Sequence, residues 1–278
     1  MPAARASTSD SRPVPEVAAF RRVVVGIDGS PESHDAARQA VVLAAPDADL
    51  ELVSVYSLAP PIIGATGGNV PLYYDEEAQR STAADTVAAA AAALGRDDVG
   101  TKIELGTPWE VLLDELGDAP GGLLAVASHG TGRIEGIVMG STATEVIHKA
   151  RASVLVARPA GEDFPRKIVV GVDGSAESAV AYAVARSLAD RFGAKLWPAI
   201  AHGGDHVDTA AVAQIVGTYH DDMPDEPATA LVAAAAEADL LVVGSRGLHG
   251  LKSLGSVSER VAHEARSSVL IVRNVEAA

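Results

Sequence analysis

Two stretches of the chain join glycines to hydroxyl residues in a pattern suited to holding a phosphate. The first is Ala127-Ser128-His129-Gly130-Thr131-Gly132-Arg133, which runs on to Gly140-Ser141-Thr142. The second is Gly244-Ser245-Arg246-Gly247, followed by Gly255-Ser256-Val257. Glycine lets a main chain come close to a bound anion. A helix starting after Gly140 or Gly255 offers unpaired N–H donors and a partial positive charge, and the Ser141 hydroxyl adds a donor. The same glycines can also serve as plain hinges. Each stretch follows an apolar run, Leu123–Ala127 or Leu240–Gly244. Two acidic residues stand at the ends of earlier apolar runs, in Gly26-Ile27-Asp28-Gly29-Ser30 and Gly171-Val172-Asp173-Gly174-Ser175. Asp-Gly is a common turn former, so Asp28 and Asp173 are open to a turn role and to ligand contact alike.

Other chemistries find no support. The chain has no cysteine, which removes disulfides, thiolate nucleophiles and cysteine metal sites. It contains no Gly-x4-Gly-Lys loop, and Arg133-Ile134-Glu135 after Gly132 breaks a dinucleotide fingerprint. Val243 occupies the place of the glycine that a nucleophile elbow would need before Ser245. His202-Gly203-Gly204-Asp205-His206 lacks a third well-placed donor and reads as a polar loop. His129, His148, His249 and His263 are scattered and assemble no triad. Arg133, Arg246 and Lys252 can pair with phosphate oxygens or remain solvated. A net charge of −15 and a pI near 4.9 deny the chain the positive field that draws nucleic acid or anionic membrane. An anionic ligand would have to be held by local groups.

These residues recur because much of the chain does. Val23-Val24-Val25-Gly26-Ile27-Asp28-Gly29-Ser30 returns as Ile168-Val169-Val170-Gly171-Val172-Asp173-Gly174-Ser175, 145 residues on. Ser153-Val154-Leu155-Val156-Ala157-Arg158 returns as Ser268-Val269-Leu270-Ile271-Val272-Arg273 after 115. The second copy is therefore about 30 residues shorter, and the loss falls between Ala201 and Pro227. Within each copy apolar runs alternate with helical patterns. In the first, strands are expected at Arg22–Ile27, Leu50–Ser57, Lys102–Leu105, Leu123–Ala127 and Ser153–Arg158, with Ser30 capping a helix that Pro31 opens. Aromatic residues make up 4%, so small aliphatic side chains must fill the core. Alternation of this kind implies an α/β fold: two tandem doubly wound parallel-sheet domains, the second shortened. The expected organisation is a disordered leader over 1–19, a domain over 20–159, a linker over 160–165 and a domain over 166–278. Each domain should form its own five-stranded sheet. The apolar closing strands, otherwise exposed edges, should meet across a pseudo-two-fold axis. No signal peptide core or membrane span is present, which makes a cytoplasmic location the expectation.

The strand-end Asp, the closing strand and the glycine spacing resemble the universal stress protein family, whose nucleotide-binding members carry Gly-x2-Gly-x9-Gly-[Ser/Thr]. The first copy reads Ala127-x2-Gly130-x9-Gly140-Ser141, with alanine for the first glycine. The second reads Gly244-x2-Gly247-x7-Gly255-Ser256, two residues short. The resemblance implies domains like the adenine nucleotide alpha hydrolases, Rossmann-like in topology, that bind ATP, with magnesium as its companion ion. It places adenine and ribose near Asp28 and Val55, and near Asp173 and about Ala201. Phosphates would lie on Gly130, Thr131, Gly132, Arg133, Gly140, Ser141 and Thr142, or on Gly244, Gly247, Gly255, Ser256 and Val257, with Gly26 and Gly171 beneath the nucleotide. It further implies a stress-associated regulator acting through nucleotide-dependent conformation or association. Closing strands in the family pair in dimers, so a homodimer is a candidate partner. A scaffold that has lost nucleotide binding and a slow ATP hydrolase remain the alternatives.

Overall fold

The computed structural model describes residues 20–58, 75–129, 139–201, 209–217, 222–223, 226–245 and 256–273. Its first half begins with β1 (Phe20–Gly26), where the branched run Val23-Val24-Val25 is buried on both faces, as a strand covered by helices must be. Ser30 then accepts from Ser33 N at 3.1 Å and caps α1 (Pro31–Leu43). There follow β2 (Ala44–Tyr56), α2 (Glu76–Ala93), β3 (Val99–Leu105), α3 (Pro108–Leu116), β4 (Leu123–Ala127), α4 (Ser141–Lys149) and β5 (Ser153–Ala157). The second half repeats the order as β6 (Lys167–Gly171), α5 (Ala176–Phe192), β7 (Lys195–Ala201), α6 (Thr209–Val216), β8 (Asp222–Met223), α7 (Pro227–Ala234), β9 (Leu240–Gly244), α8 (Ser256–Glu264) and β10 (Ser268–Val272). The shortening is local: α6 has 8 residues where α2 has 18, and β8 has 2 where β3 has 7.

The strands lie in the order β3-β2-β1-β4-β5-β10-β9-β6-β7-β8. Both halves thus place the third, second, first, fourth and fifth strand of the repeat side by side, and pairing within each half is parallel. The expectation of two separate sheets is corrected here. Antiparallel pairing of β5 with β10 fuses the halves into one ten-stranded sheet. Both strands are buried at every position, and each satisfies the other's main chain, which two isolated sheets would leave as raw edges. Leu155 pairs with Leu270, its own equivalent 115 residues on, while Val154 faces Ile271 and Val156 faces Val269. A pseudo-two-fold axis therefore passes through the Leu155–Leu270 pair.

One apolar layer packs α1, α2, α5 and α6 on one face of the sheet, through Ala36, Ala40, Leu43, Val87, Ala181 and Val212. The other packs α3, α4, α7 and α8 on the opposite face, through Leu112, Val146, Ile147, Leu231 and Val261. Across β1, β2, β3 and α3 Arg22 bonds Asp49 at 2.7 Å, Glu51 at 2.6 Å and Glu115 at 2.9 Å, and Lys102 also reaches Glu115. No helix among the described residues is long and apolar enough to cross a membrane.

Candidate functional site

Strand order reverses between the parallel neighbours β1 and β4: from β1 the sheet builds outward to β2 and β3, and on its other side lie β4 and β5. Register pairs Val25 with Ala125, so the segments that leave these strands, 27–30 and 128–140, start side by side. Such a switch point at the carboxyl ends of parallel strands is where open α/β sheets form ligand crevices. The same juxtaposition recurs between β6 and β9, where Val170 pairs with Val242.

Asp28 is exposed, and its Oδ1 accepts from Ser30 N at 3.0 Å and from Ser30 Oγ at 2.6 Å. Asp173 makes the same pair of bonds with Ser175, at 3.0 and 2.6 Å. Both aspartates thus organise the turn and orient the serine that caps the next helix. The turn role holds at both positions, and it points each strand-end carboxylate into the loop beside the crevice. Gly29 and Gly174 follow with φ of +82 and +86, a conformation that side chains rarely adopt. A Cβ at Gly29 would also meet Thr86 of α2 at 3.3 Å, so α2 walls the turn.

α4 starts at the crevice. Its N-cap is Gly140, whose N–H donates to the Ser128 carbonyl at 2.7 Å and whose own carbonyl accepts from Thr144 N and Oγ1, both at 3.0 Å. Ser141 is exposed and Thr142 half-buried in the first turn. Among the helices whose N-cap is described, α4 alone has neither a side-chain cap bond nor an acidic residue in its first turn. No acidic side chain of its first turn offsets the positive dipole end. Gly140 has φ −72 and ψ 158, ordinary extended backbone. Any residue can adopt that backbone, so the permissive geometry of glycine is not required there. Ser128, buried at the end of β4 and 3.1 Å from His129 Nδ1 through its Oγ, is the residue that ties α4 to β4, a role sequence reasoning missed. The recurrence of Ser245 after β9 was the available signal.

Other residues expected at the ligand also lie against helices. A Cβ on Gly26 would lie 2.9 Å from Leu112 Cδ1, and one on Gly171 3.1 Å from both Leu231 methyls. Leucine methyls of α3 and α7 thus lie over both glycines. At Gly244 a Cβ would stand 2.7 Å from the backbone carbon and oxygen of Glu177 in α5. The alanine at the corresponding Ala127 is half-buried. Val55 is half-buried near the end of β2, in the apolar layer with Trp109 and Val111. In the second half Val257 is half-buried in the α8 layer, and Ser258 Oγ donates to the Gly244 carbonyl at 2.8 Å. Ser256 opens α8. Gly130, Thr131, Gly132, Arg133, Gly247 and Gly255 lie outside the described residues, as do the 1–19 leader and the His202–His206 loop.

The sequence matches the universal stress protein family over residues 19–158 and again over 205–273. A universal stress protein of Mycobacterium tuberculosis is 30% identical over 296 aligned residues, covering 90% of this chain and 96% of the relative. One from Mycolicibacterium smegmatis is 30% identical over 287, with the same two coverages of 90% and 96%. The crystal structure of a universal stress protein from Archaeoglobus fulgidus superposes with a TM-score of 0.67 at 17% identity, across 92% of this chain and 97% of that one, and so shares the fold. With both copies of the repeat built on that fold, the chain belongs to the universal stress protein family.

Proposed function

We propose that the chain binds ATP at the switch-point crevice of its first half and acts as a stress-associated regulator, through nucleotide-dependent conformation or association. The observation that carries this reading is the start of α4. Among the helices whose N-cap is described, it alone lacks both a side-chain cap bond and an acidic residue in its first turn, and it opens beside the turn held by Asp28. Triphosphate oxygens would accept from the N–H groups and hydroxyls of Ser141 and Thr142, an arrangement that helix N-termini favour. Asp28 and Val55 would flank the ribose and adenine. Among the described residues no group of three His, Asp or Glu is arranged to hold a metal ion. Magnesium would therefore arrive on the phosphates, neutralising part of their charge. Among the described residues the neighbouring groups offer hydrogen bonds and a helix dipole, which supports a role through ligand-dependent conformation.

Calorimetric titration with ATP at fixed salt tests the proposal. Gly140 has extended backbone and the nearest outside atom to a Cβ there is Ser128 O at 3.6 Å, so the backbone admits a side chain whose branches would then crowd the phosphate position. Gly140→Val should abolish first-half binding, and Gly255→Val should spare it. Ser141→Ala should weaken binding by less than about tenfold, one neutral hydrogen bond. Wild-type protein giving neither heat nor thermal shift at millimolar ATP (about 1 mM, a weak −4 kcal/mol limit) would favour the scaffold alternative. Loss of binding only in Gly255→Val would move the working site to the second half.

A further inference from the structure

Arg158 and Arg273 stand one residue beyond the two closing strands, and both are buried, at 6% and 8% exposure. Their guanidinium groups reach across the joint to main-chain carbonyls of the opposite half. Arg273 donates to Ile147 O at 2.5 Å and to Ala150 O at 2.6 Å, at the C-terminal end of α4. Arg158 donates to Ala262 O at 2.6 Å in the last turn of α8, and to Ser267 O at 3.1 Å beyond it. Ile147 and Ala262 are equivalents 115 residues apart, as the two arginines are, so the contact is reciprocal about the pseudo-two-fold axis.

Each arginine is itself held by the closing strands. Arg273 N donates to Ser153 Oγ at 3.0 Å, and Arg158 N to Ser268 Oγ at 3.0 Å. Ser268 Oγ in turn donates to Gln39 Oε1 at 2.6 Å, and Gln39 Nε2 donates to Arg158 O at 2.7 Å. Burial lowers both guanidinium pKa values to about 10, which leaves them charged at neutral pH. A fixed cation at the carboxyl end of a helix supplies donors for its last carbonyls and complements its dipole. The other end of α4 is the phosphate-binding turn proposed above, only nine residues or about 13 Å away along a rigid rod.

We propose that Arg273 and Arg158 are crossed positioning residues: from one half, each fixes the helix whose first turn forms the phosphate-binding end of the other half. The functional part rests on the nucleotide reading. Each site is then incomplete without the partner half of the same chain, and the two halves work only as a pair. A plain structural cap would lower stability without regard to which half is read, whereas a positioning residue acts on the opposite half.

The full-length chain and its Arg273→Met, Arg158→Met and Arg273→Lys variants should be compared by amide hydrogen exchange and by ATP titration. Arg273→Met should speed exchange across Ala143–Ala150 and weaken first-half ATP binding about tenfold, the scale of losing one end of an aligned helix dipole. Arg158→Met should speed exchange in α8 and leave first-half affinity within about twofold. Arg273→Lys keeps the charge and fewer donors, so it should fall between, and it replaces the methionine variant if that does not fold. The proposal is overturned if Arg273→Met raises exchange evenly over both halves. It is equally overturned if Arg273→Met leaves first-half binding unchanged, or if Arg158→Met weakens it as much. Wild type that binds no ATP removes the nucleotide reading and the functional part together, and the exchange pattern then decides the anchoring by itself.

Discussion

Replacing Gly244 with alanine would set a methyl group 2.7 Å from the carbonyl carbon and oxygen of Glu177 and 3.1 Å from its Cβ. Real Cβ atoms do not approach backbone that closely, and the obstacle is the first turn of α5, which cannot rotate away as a side chain can. The helix must shift from β9 by several tenths of an ångström, in a layer where Ala181 and Ala185 are already fully buried. Overpacking of this kind costs about 1–3 kcal/mol. Gly140→Ala is the matched control. Its nearest outside contact would be 3.6 Å, and its φ of −72 suits any residue. Alanine there gains about 0.4–1 kcal/mol by restricting the unfolded chain and loses a similar amount as a poorer N-cap than glycine. The net change should be within about 0.5 kcal/mol. Urea unfolding followed by circular dichroism reads both, as a midpoint shift at unchanged slope. Gly244→Ala as stable as wild type, or Gly140→Ala losing as much as Gly244→Ala, would refute the assignment of Gly244 to helix packing.

The joint between the halves gives a second expectation: Leu155→Lys or Ile271→Lys puts an ammonium at a position with 0% exposure, costing upwards of about 3 kcal/mol. Both variants should melt at lower temperature and lose solubility, and silence in either would speak against the antiparallel joint. The charged cluster around Arg22 and Glu115 gives a third, in pH. Hydrogen bonding from Lys102, with further help from Arg22, holds the Glu115 carboxyl below its ordinary value of 4.5. A depressed carboxyl contributes stability that is complete above its unfolded pKa and lost as pH falls through the folded one. Glu115→Gln should therefore lower stability by about 1–3 kcal/mol at neutral pH and flatten the acid limb below pH 4.5. An unchanged acid limb in the variant would place the acid sensitivity elsewhere.

Much of this protein was determined by local sequence. Branched runs ending in Asp-Gly-Ser, a capping serine before Pro31 or Ala176, and alternation of strand with helix need only neighbouring residues to act, and they set the elements and their order. The recurrence of those runs carried the tandem topology, because equal strings with equal neighbours fold alike. Leu155 and Leu270 were recognisable as closing-strand residues for the same reason. Only the tertiary structure decided that the two sheets are one, since the register of β5 on β10 depends on which buried edge has no other partner. Glycine roles were likewise undecided locally. Gly26, Gly171 and Gly244 look like a ligand's glycines in the sequence, and only the structure shows that Leu112, Leu231 and the Glu177 backbone stand opposite their missing side chains, brought there by helices distant in the chain. Arg158 and Arg273 read as ordinary polar strand ends. Their burial against the helix ends of the opposite half arises because the pseudo-two-fold axis places each guanidinium where a helix of the other half has run out of hydrogen-bond donors.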